Sequence, residues 1–291
     1  MKNPRSTPVT RPELPPEVRP GQSVELLQHL HILTREGRLN QDSRRKLKQV
    51  YHLVQFITKV LDELPASAEG PTLADHGAGK SYLGFILYDL YFKALGRGTI
   101  WGIETRAELV SSSRALAQRL DFERMRFLNL SVAQAAQSDA MPAQIDIVTA
   151  LHACDTATDD AIDFGLSKQA RAMVLVPCCQ AEAATLLRQN KALFLAQTPL
   201  AELWRHPLHT RELGSQITNV MRCLYLESQG YKVTVTELVG WEHSMKNELI
   251  LAEHTGQKKR SAAQRLSALI EQFGLQDLAR QRFPKLGSDP H

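Results

Sequence analysis

From residue 71 onward, short apolar runs alternate with amphipathic stretches, and this rhythm restricts the possible folds more than any other feature. Runs at 72–74, 99–103, 125–128, 145–151 and 172–176 have the length and residue types of strands. Between and after them, residues 81–95, 107–120, 132–137, 159–167 and 182–190 carry apolar residues at helical spacing. Strand and helix in strict alternation predict a parallel, doubly wound sheet covered on both faces. A polar insertion at 191–210 breaks the rhythm, and a helix at 212–229 resumes it. Strands at 231–239 and 248–253 then follow one another without a helix between them, which predicts an antiparallel pair at the end of the sheet.

Two helices precede the first strand. The first covers 23–34; the second covers 41–64, with Leu47, Val50, Val54, Ile57 and Val60 on one side and Pro65 as its stop. Residues 22–66 therefore read as an N-terminal helical cap, 67–255 as the α/β domain, and 256–291 as a basic helical tail. In that tail an amphipathic helix at 261–273 is expected to pack on the core. Residues 1–21 carry Pro4, Pro8, Pro12, Pro15, Pro16 and Pro20 and no apolar stretch, so they read as a disordered leader and not as a secretory signal. No run approaches the ~18 to 20 apolar residues that cross a bilayer. The four cysteines are too few and too embedded for a secreted disulfide scaffold, which points to a cytoplasmic location. Net charge is only +4, but Arg44, Arg45, Lys46 and Lys48 fall within one predicted helix, and Lys258, Lys259 and Arg260 open the tail. Each cluster suits either phosphate binding or a solvated face.

The chemistry-bearing segment is Asp75-His76-Gly77-Ala78-Gly79-Lys80-Ser81, which follows a strand and opens a helix. Taken literally, residues 74–81 satisfy a relaxed phosphate-loop pattern, with Lys80 reaching phosphates and Ser81 binding magnesium. Asp75 argues against that reading, because a carboxylate at the strand end would sit beside the phosphates. The same carboxylate suits S-adenosylmethionine, whose ammonium and sulfonium groups are positive. Glu104, ending the second strand, stands where dinucleotide-binding folds place the acid that accepts ribose hydroxyls, ~20 residues beyond the glycines. A dehydrogenase is disfavoured because Tyr82 occupies the position of the third glycine. Asp75, Gly77, Gly79, Lys80, Glu104 and Leu151 are thus the expected cofactor residues.

Four segments in order carry a family resemblance: Asp75 through Ser81, Trp101-Gly102-Ile103-Glu104, Leu151-His152-Ala153-Cys154-Asp155 and Val176-Pro177-Cys178-Cys179. Together they resemble the methyltransferase-domain family that includes the methyltransferase-like 25 proteins and many bacterial members. The helix with Lys48, Gln49 and His52 and the segment Glu242, His243, Ser244, Lys246 and Asn247 are similar to its bacterial branch. The resemblance spans about residues 44–253. It implies a class I methyltransferase sheet, S-adenosylmethionine as cofactor, and RNA as substrate. Asp155 departs from it, standing where the family usually has glycine.

Ligands in doubly wound sheets bind at the carboxyl ends of the strands. His152, Cys154 and Asp155 follow the fourth strand, and Cys178 and Cys179 the fifth, so both groups are expected at one cleft. His152, Asp155 and Cys178 are the catalytic candidates. Cys178, preceded by Pro177, resembles the thiolate nucleophile of pyrimidine C5 chemistry. The cysteines could equally bind zinc, although their spacing is poor and no metal is expected, or respond to redox conditions. Close packing around the cofactor's methyl end is the preferred reading. Cys223 and Trp101 read as core residues, and Trp241 as the better base-stacking candidate. The expected substrate residues are Arg45, Lys48, His52, His243, Lys246 and Asn247. A small-molecule or protein methyltransferase, or a catalytically silent protein binding S-adenosylmethionine and RNA, are the alternatives.

Overall fold

In the computed structural model, residues 14–153, 156–177, 181–189, 198–238 and 248–286 are described. Chain order begins with α1 (Val24–His29) and α2 (Gln41–Glu63), then β1 (Thr72–His76). α3 (Tyr82–Leu87) runs through a π-helical turn at Tyr88–Phe92 into α4 (Lys93–Leu95). β2 (Thr99–Ile103), α5 (Ala107–Arg119), β3 (Met125–Leu128), α6 (Val132–Ala136), β4 (Ile147–Ala153), α7 (Ala157–Ser167), β5 (Ala172–Pro177) and α8 (Glu182–Gln189) follow. After a 3-10 turn at Pro199–Trp204 come α9 (Pro207–Ser228), β6 (Tyr231–Glu237), β7 (Glu248–His254), α10 (Arg260–Phe273) and α11 (Gln276–Arg282).

The strands form one seven-stranded sheet in the order β3-β2-β1-β4-β5-β7-β6. β3, β2, β1, β4 and β5 pair in parallel, and β7 runs antiparallel to both β5 and β6. This is the Rossmann-like, mostly parallel sheet that the strand–helix alternation predicted, with the antiparallel end that the two successive final strands and the family resemblance implied. Because β6 and β5 each run opposite to β7, the end of β6 lies at the same sheet edge as the carboxyl ends of β1, β2, β4 and β5.

Strand alternation divides the core in two. On β5, Ala172, Val174 and Val176 join the cluster that contains Leu47, Val54 and Ile57 of α2 and Phe85 of α3. Met173 and Leu175 face the opposite cluster, with Phe164 of α7, Met221 and Tyr225 of α9, and Leu266 of α10. The helical cap is therefore a wall of the domain, spread over the sheet beside α3. Leu266 and Ile270 bury the tail helix on that second face as expected, and α11 adds Leu278, a helix that the sequence pattern did not signal.

Some boundaries differ from the sequence expectation for identifiable reasons. The first helix ends at His29, and His31 takes a left-handed conformation (φ 56°) in the turn that follows. The expected helix at 81–95 is interrupted by the π turn, where buried Asp89 accepts from the Ser23 amide at 2.8 Å. The polar insertion contributes the first turn of α9, which starts on Pro207. Part of the proline-rich stretch folds against α2: Arg19 lies over the Tyr51 ring at 4.3 Å, and Glu17 pairs with Arg44.

Candidate functional site

The glycine loop connects β1 to α3 at the carboxyl edge of the sheet. Gly77 (φ 61°), Gly79 (φ 56°) and Ser81 (φ 52°) all adopt left-handed backbone conformations, so the chain reverses within a few residues. A Cβ on Gly77 would have no heavy atom within 4 Å, so the loop presents open backbone there. Lys80 is exposed. Ser81 is fully buried, with its hydroxyl turned inward to where a Cβ on Gly84 would lie, 2.6 Å away. That hydroxyl is unavailable to a metal ion on the loop, which removes the magnesium ligand that a phosphate loop needs.

Two carboxylates flank the loop in different states. Asp75 is buried beneath it and accepts from the Thr149 hydroxyl of β4 at 2.8 Å. Burial pushes its carboxyl up to about 7, with the Thr149 hydrogen bond pulling the other way. An arriving cation would reverse that shift and draw the proton off. Glu104 follows β2, and its amide donates to the Leu128 carbonyl of β3. Its Oε2 accepts the Gly79 amide at 2.9 Å, joining the loop to the end of β2. Arg106 donates to the same carboxylate through Nε, Nη2 and its own amide, each at 3.0 Å. Those hydrogen bonds from Arg106, ahead of the opposing effect of burial, hold Glu104 down at about 2. Gly102 on β2 makes room for the Phe127 ring of β3, which a Cβ there would meet at 2.7 Å.

The donor set fits S-adenosylmethionine. A carboxylate that burial leaves short of a cation lies under the loop, and a fixed carboxylate at the end of β2 can accept two vicinal hydroxyls. Arg106 occupies the latter position here, but its side chain is 59% exposed and can swing away.

Other residues were not evident from the sequence. His76 ends β1, is 1% exposed, and packs edge-on against Phe164 with neither ring nitrogen hydrogen-bonded. Burial lowers its pKa to about 3, so it is neutral. Behind the carboxyl edge, fully buried Arg222 of α9 holds Asp159 of α7 by two bonds (2.6 and 2.9 Å) and donates to Asn219. Asn219 in turn donates to Glu248 at the start of β7. This network ties together the roots of the segments that follow β4 and precede β7. A charged residue within an amphipathic helix gives no sequence signal of burial, so Arg222 was indistinguishable from a surface arginine.

Of the expected residues, Asp75, Gly77, Gly79 and Glu104 converge on one loop. Leu151 lies on β4, one strand over from β1. His152 lies within β4, where the pairing with β5 shifts register between Leu151 and Ala153. Cys154, Asp155, Cys178 and Cys179 fall outside the described residues, as do Trp241, His243, Ser244, Lys246 and Asn247. Cys223 is only partly exposed, and burial pushes its thiol up to about 12, so it is inert. On α2, Lys48 and His52 line a cavity together with Arg44; Arg45 is not among the lining residues and faces Asp42 at 3.9 Å.

Residues 45–185 match a family model described as a methyltransferase domain. No curated protein sequence matches the chain. Among solved structures, the chain is similar to the magnesium protoporphyrin IX methyltransferase of Synechocystis PCC 6803 with bound SAH. Identity is 16%, coverage is 80% of this chain and 95% of that one, and the TM-score is 0.46. It is also similar to Aeropyrum pernix fibrillarin in complex with S-adenosyl-L-methionine, at 16% identity, 70% and 76% coverage, and a TM-score of 0.41. An rRNA methylase from Streptococcus thermophilus is 9% identical over 69% of this chain and 95% of its own, with a TM-score of 0.41.

Proposed function

We propose that this chain is an S-adenosylmethionine-dependent methyltransferase that acts on RNA. The observation that carries the cofactor assignment is the joint between loop and strand: the Gly79 amide on Glu104, with Asp75 buried beneath the same loop. Glu104 accepts the ribose hydroxyls, Gly77 and Gly79 let the loop approach the cofactor, and Asp75 faces its positive end. Leu151 of β4 would border the methyl group. The match of residues 45–185 to a methyltransferase domain supports the same reading.

Bound S-adenosylmethionine supplies an electrophilic methyl group on a sulfonium. The protein's task is to hold an acceptor in line with that methyl and to exclude water. His152, near the end of β4, and Asp155 are the candidates to take or hold the acceptor's proton, with Cys178 as packing or as nucleophile. His243, Lys246 and Asn247, which come between β6 and β7 in sequence, are the proposed substrate residues on that side. The RNA assignment is supported by the basic side of α2, which borders this edge and includes Lys48, with His52 beside it.

Calorimetric titration with S-adenosylmethionine tests the cofactor assignment. Binding is expected, and Glu104→Ala should weaken it at least tenfold while the fold persists, since charge-assisted hydrogen bonds contribute about 1.5–3 kcal/mol each. Undiminished binding by that variant, or tight magnesium-dependent ATP binding, would overturn it.

A further inference from the structure

A cavity of about 650 Å³ opens between α2, the segment that precedes α1, and the end of β6. Its size is that of a small-ligand pocket. Leu238, which lines it, follows β6, so the cavity lies at the sheet edge that carries the glycine loop. α2 also reaches toward that loop, with Lys46 standing 5.7 Å from the ring of Tyr82, the first residue of α3.

The lining has two chemical parts. Leu47 and Leu238, both buried, supply apolar surface, and Tyr51 adds an aromatic ring whose hydroxyl is held by Gln22. Arg19, Arg44 and Lys48 supply permanent positive charge, with His52 beside them. Two carboxylates, Glu17 and Glu237, also line the cavity, and Glu17 is paired with Arg44. Cations thus outnumber anions by one, and a phosphate on Arg44 would compete with Glu17. The Arg19 guanidinium rests over the Tyr51 ring at 4.3 Å while lining the cavity, so it offers a flat cationic surface backed by an aromatic ring. Guanidinium planes and aromatic rings are the surfaces on which unstacked bases are held, and arginine and lysine beside them take the phosphate.

We infer that this cavity holds one nucleotide of a single-stranded acceptor, its base on the Arg19–Tyr51 pair and its phosphate on Arg44 and Lys48. The inference rests on the methyltransferase reading for its purpose, but its test reads binding alone. It also gives a function to Arg19, which lies in the proline-rich stretch before the helical cap.

The test is fluorescence anisotropy with a short labelled single-stranded RNA across a salt series, with S-adenosylmethionine affinity measured in parallel. Arg19→Ala should weaken RNA binding by about fivefold or more, the scale of one lost base stack. Arg19→Lys should keep the salt dependence of the wild type but recover only part of the affinity. Lys48→Ala and Arg44→Ala combined should flatten the salt slope by about 0.7, the one single-strand phosphate contact they share. A nucleoside 5′-monophosphate should compete at concentrations where inorganic phosphate does not. The inference is overturned if the wild type does not bind RNA, if Arg19→Ala binds like the wild type, or if phosphate competes equally well. Loss of S-adenosylmethionine binding by the wild type would instead sink the methyltransferase reading, and the RNA measurement would still decide this one.

Discussion

Removing Arg106 should strengthen cofactor binding, the opposite of what loss of a charged residue at a binding site usually does. Arg106 holds both oxygens of Glu104 through Nε and Nη2 at 3.0 Å, so a ribose diol must displace it. The guanidinium is 59% exposed while Glu104 is 7% exposed, so solvent discounts the ion pair to the scale of a surface bridge, about 0.2–1 kcal/mol. Arg106→Ala frees the carboxylate but leaves it the amides of Gly79 and of residue 106 itself. Affinity for S-adenosylmethionine should therefore tighten by about 1.4- to 5-fold. The gain should shrink as salt rises, because screening already weakens the pair in the wild type. In a Glu104→Ala background, Arg106→Ala should change nothing, a coupling that a double-mutant cycle by calorimetry reads directly. If Arg106→Ala weakens binding tenfold, Arg106 touches the cofactor and the account of Glu104 is wrong.

Asp75 gives a second expectation. Its carboxyl stays protonated in the folded protein between about 3.8, the usual value in an unfolded chain, and about 7. Stability should fall as pH rises across that window and then level off, and Asp75→Asn should remove the slope in pH-dependent denaturation. Binding of a cationic cofactor near neutral pH should release a fraction of a proton, seen as buffer-dependent heat in calorimetry; buffer-independent heat contradicts a contact between Asp75 and the cofactor's charge. Gly77→Ala and Gly79→Ala impose a side chain on left-handed backbone (φ 61° and 56°), and thermal melts should show each losing about 1–2 kcal/mol, with weaker cofactor binding. Arg222→Met should cost about 3–5 kcal/mol by leaving Asp159 buried and uncompensated, and Arg222→Met with Asp159→Leu should recover much of it. Equal melting temperatures for the single and double variants would contradict that pairing.

The sheet was legible because burial on two faces writes itself into sequence: Ala172 to Val176 are apolar without a break, as a strand covered on both sides must be. The glycine loop was legible for a related reason, since left-handed backbone at Gly77 and Gly79 leaves few alternatives to glycine. Side-chain partnerships were not legible. Nothing in Glu104-Thr105-Arg106 shows that the arginine folds back onto the glutamate. On α2, the sequence reading grouped Arg45 with Lys48 and His52, whereas Arg44 shares their cavity, because steps of four residues keep 44, 48 and 52 on one face. Arg19 was invisible as a site residue because its role depends on contact with Tyr51, more than a helix length away in sequence. The π turn at Tyr88–Phe92 escaped for the same reason, since Asp89 engages a backbone amide brought to it by the fold.

The central claim is tested most directly by transfer of the tritiated methyl group of S-adenosylmethionine to separated pools of total RNA, protein and small metabolites. The account predicts label in RNA, lost in Glu104→Ala and reduced in Arg19→Ala. Label confined to protein or to small metabolites, or no label in any pool while S-adenosylmethionine is bound, would contradict it.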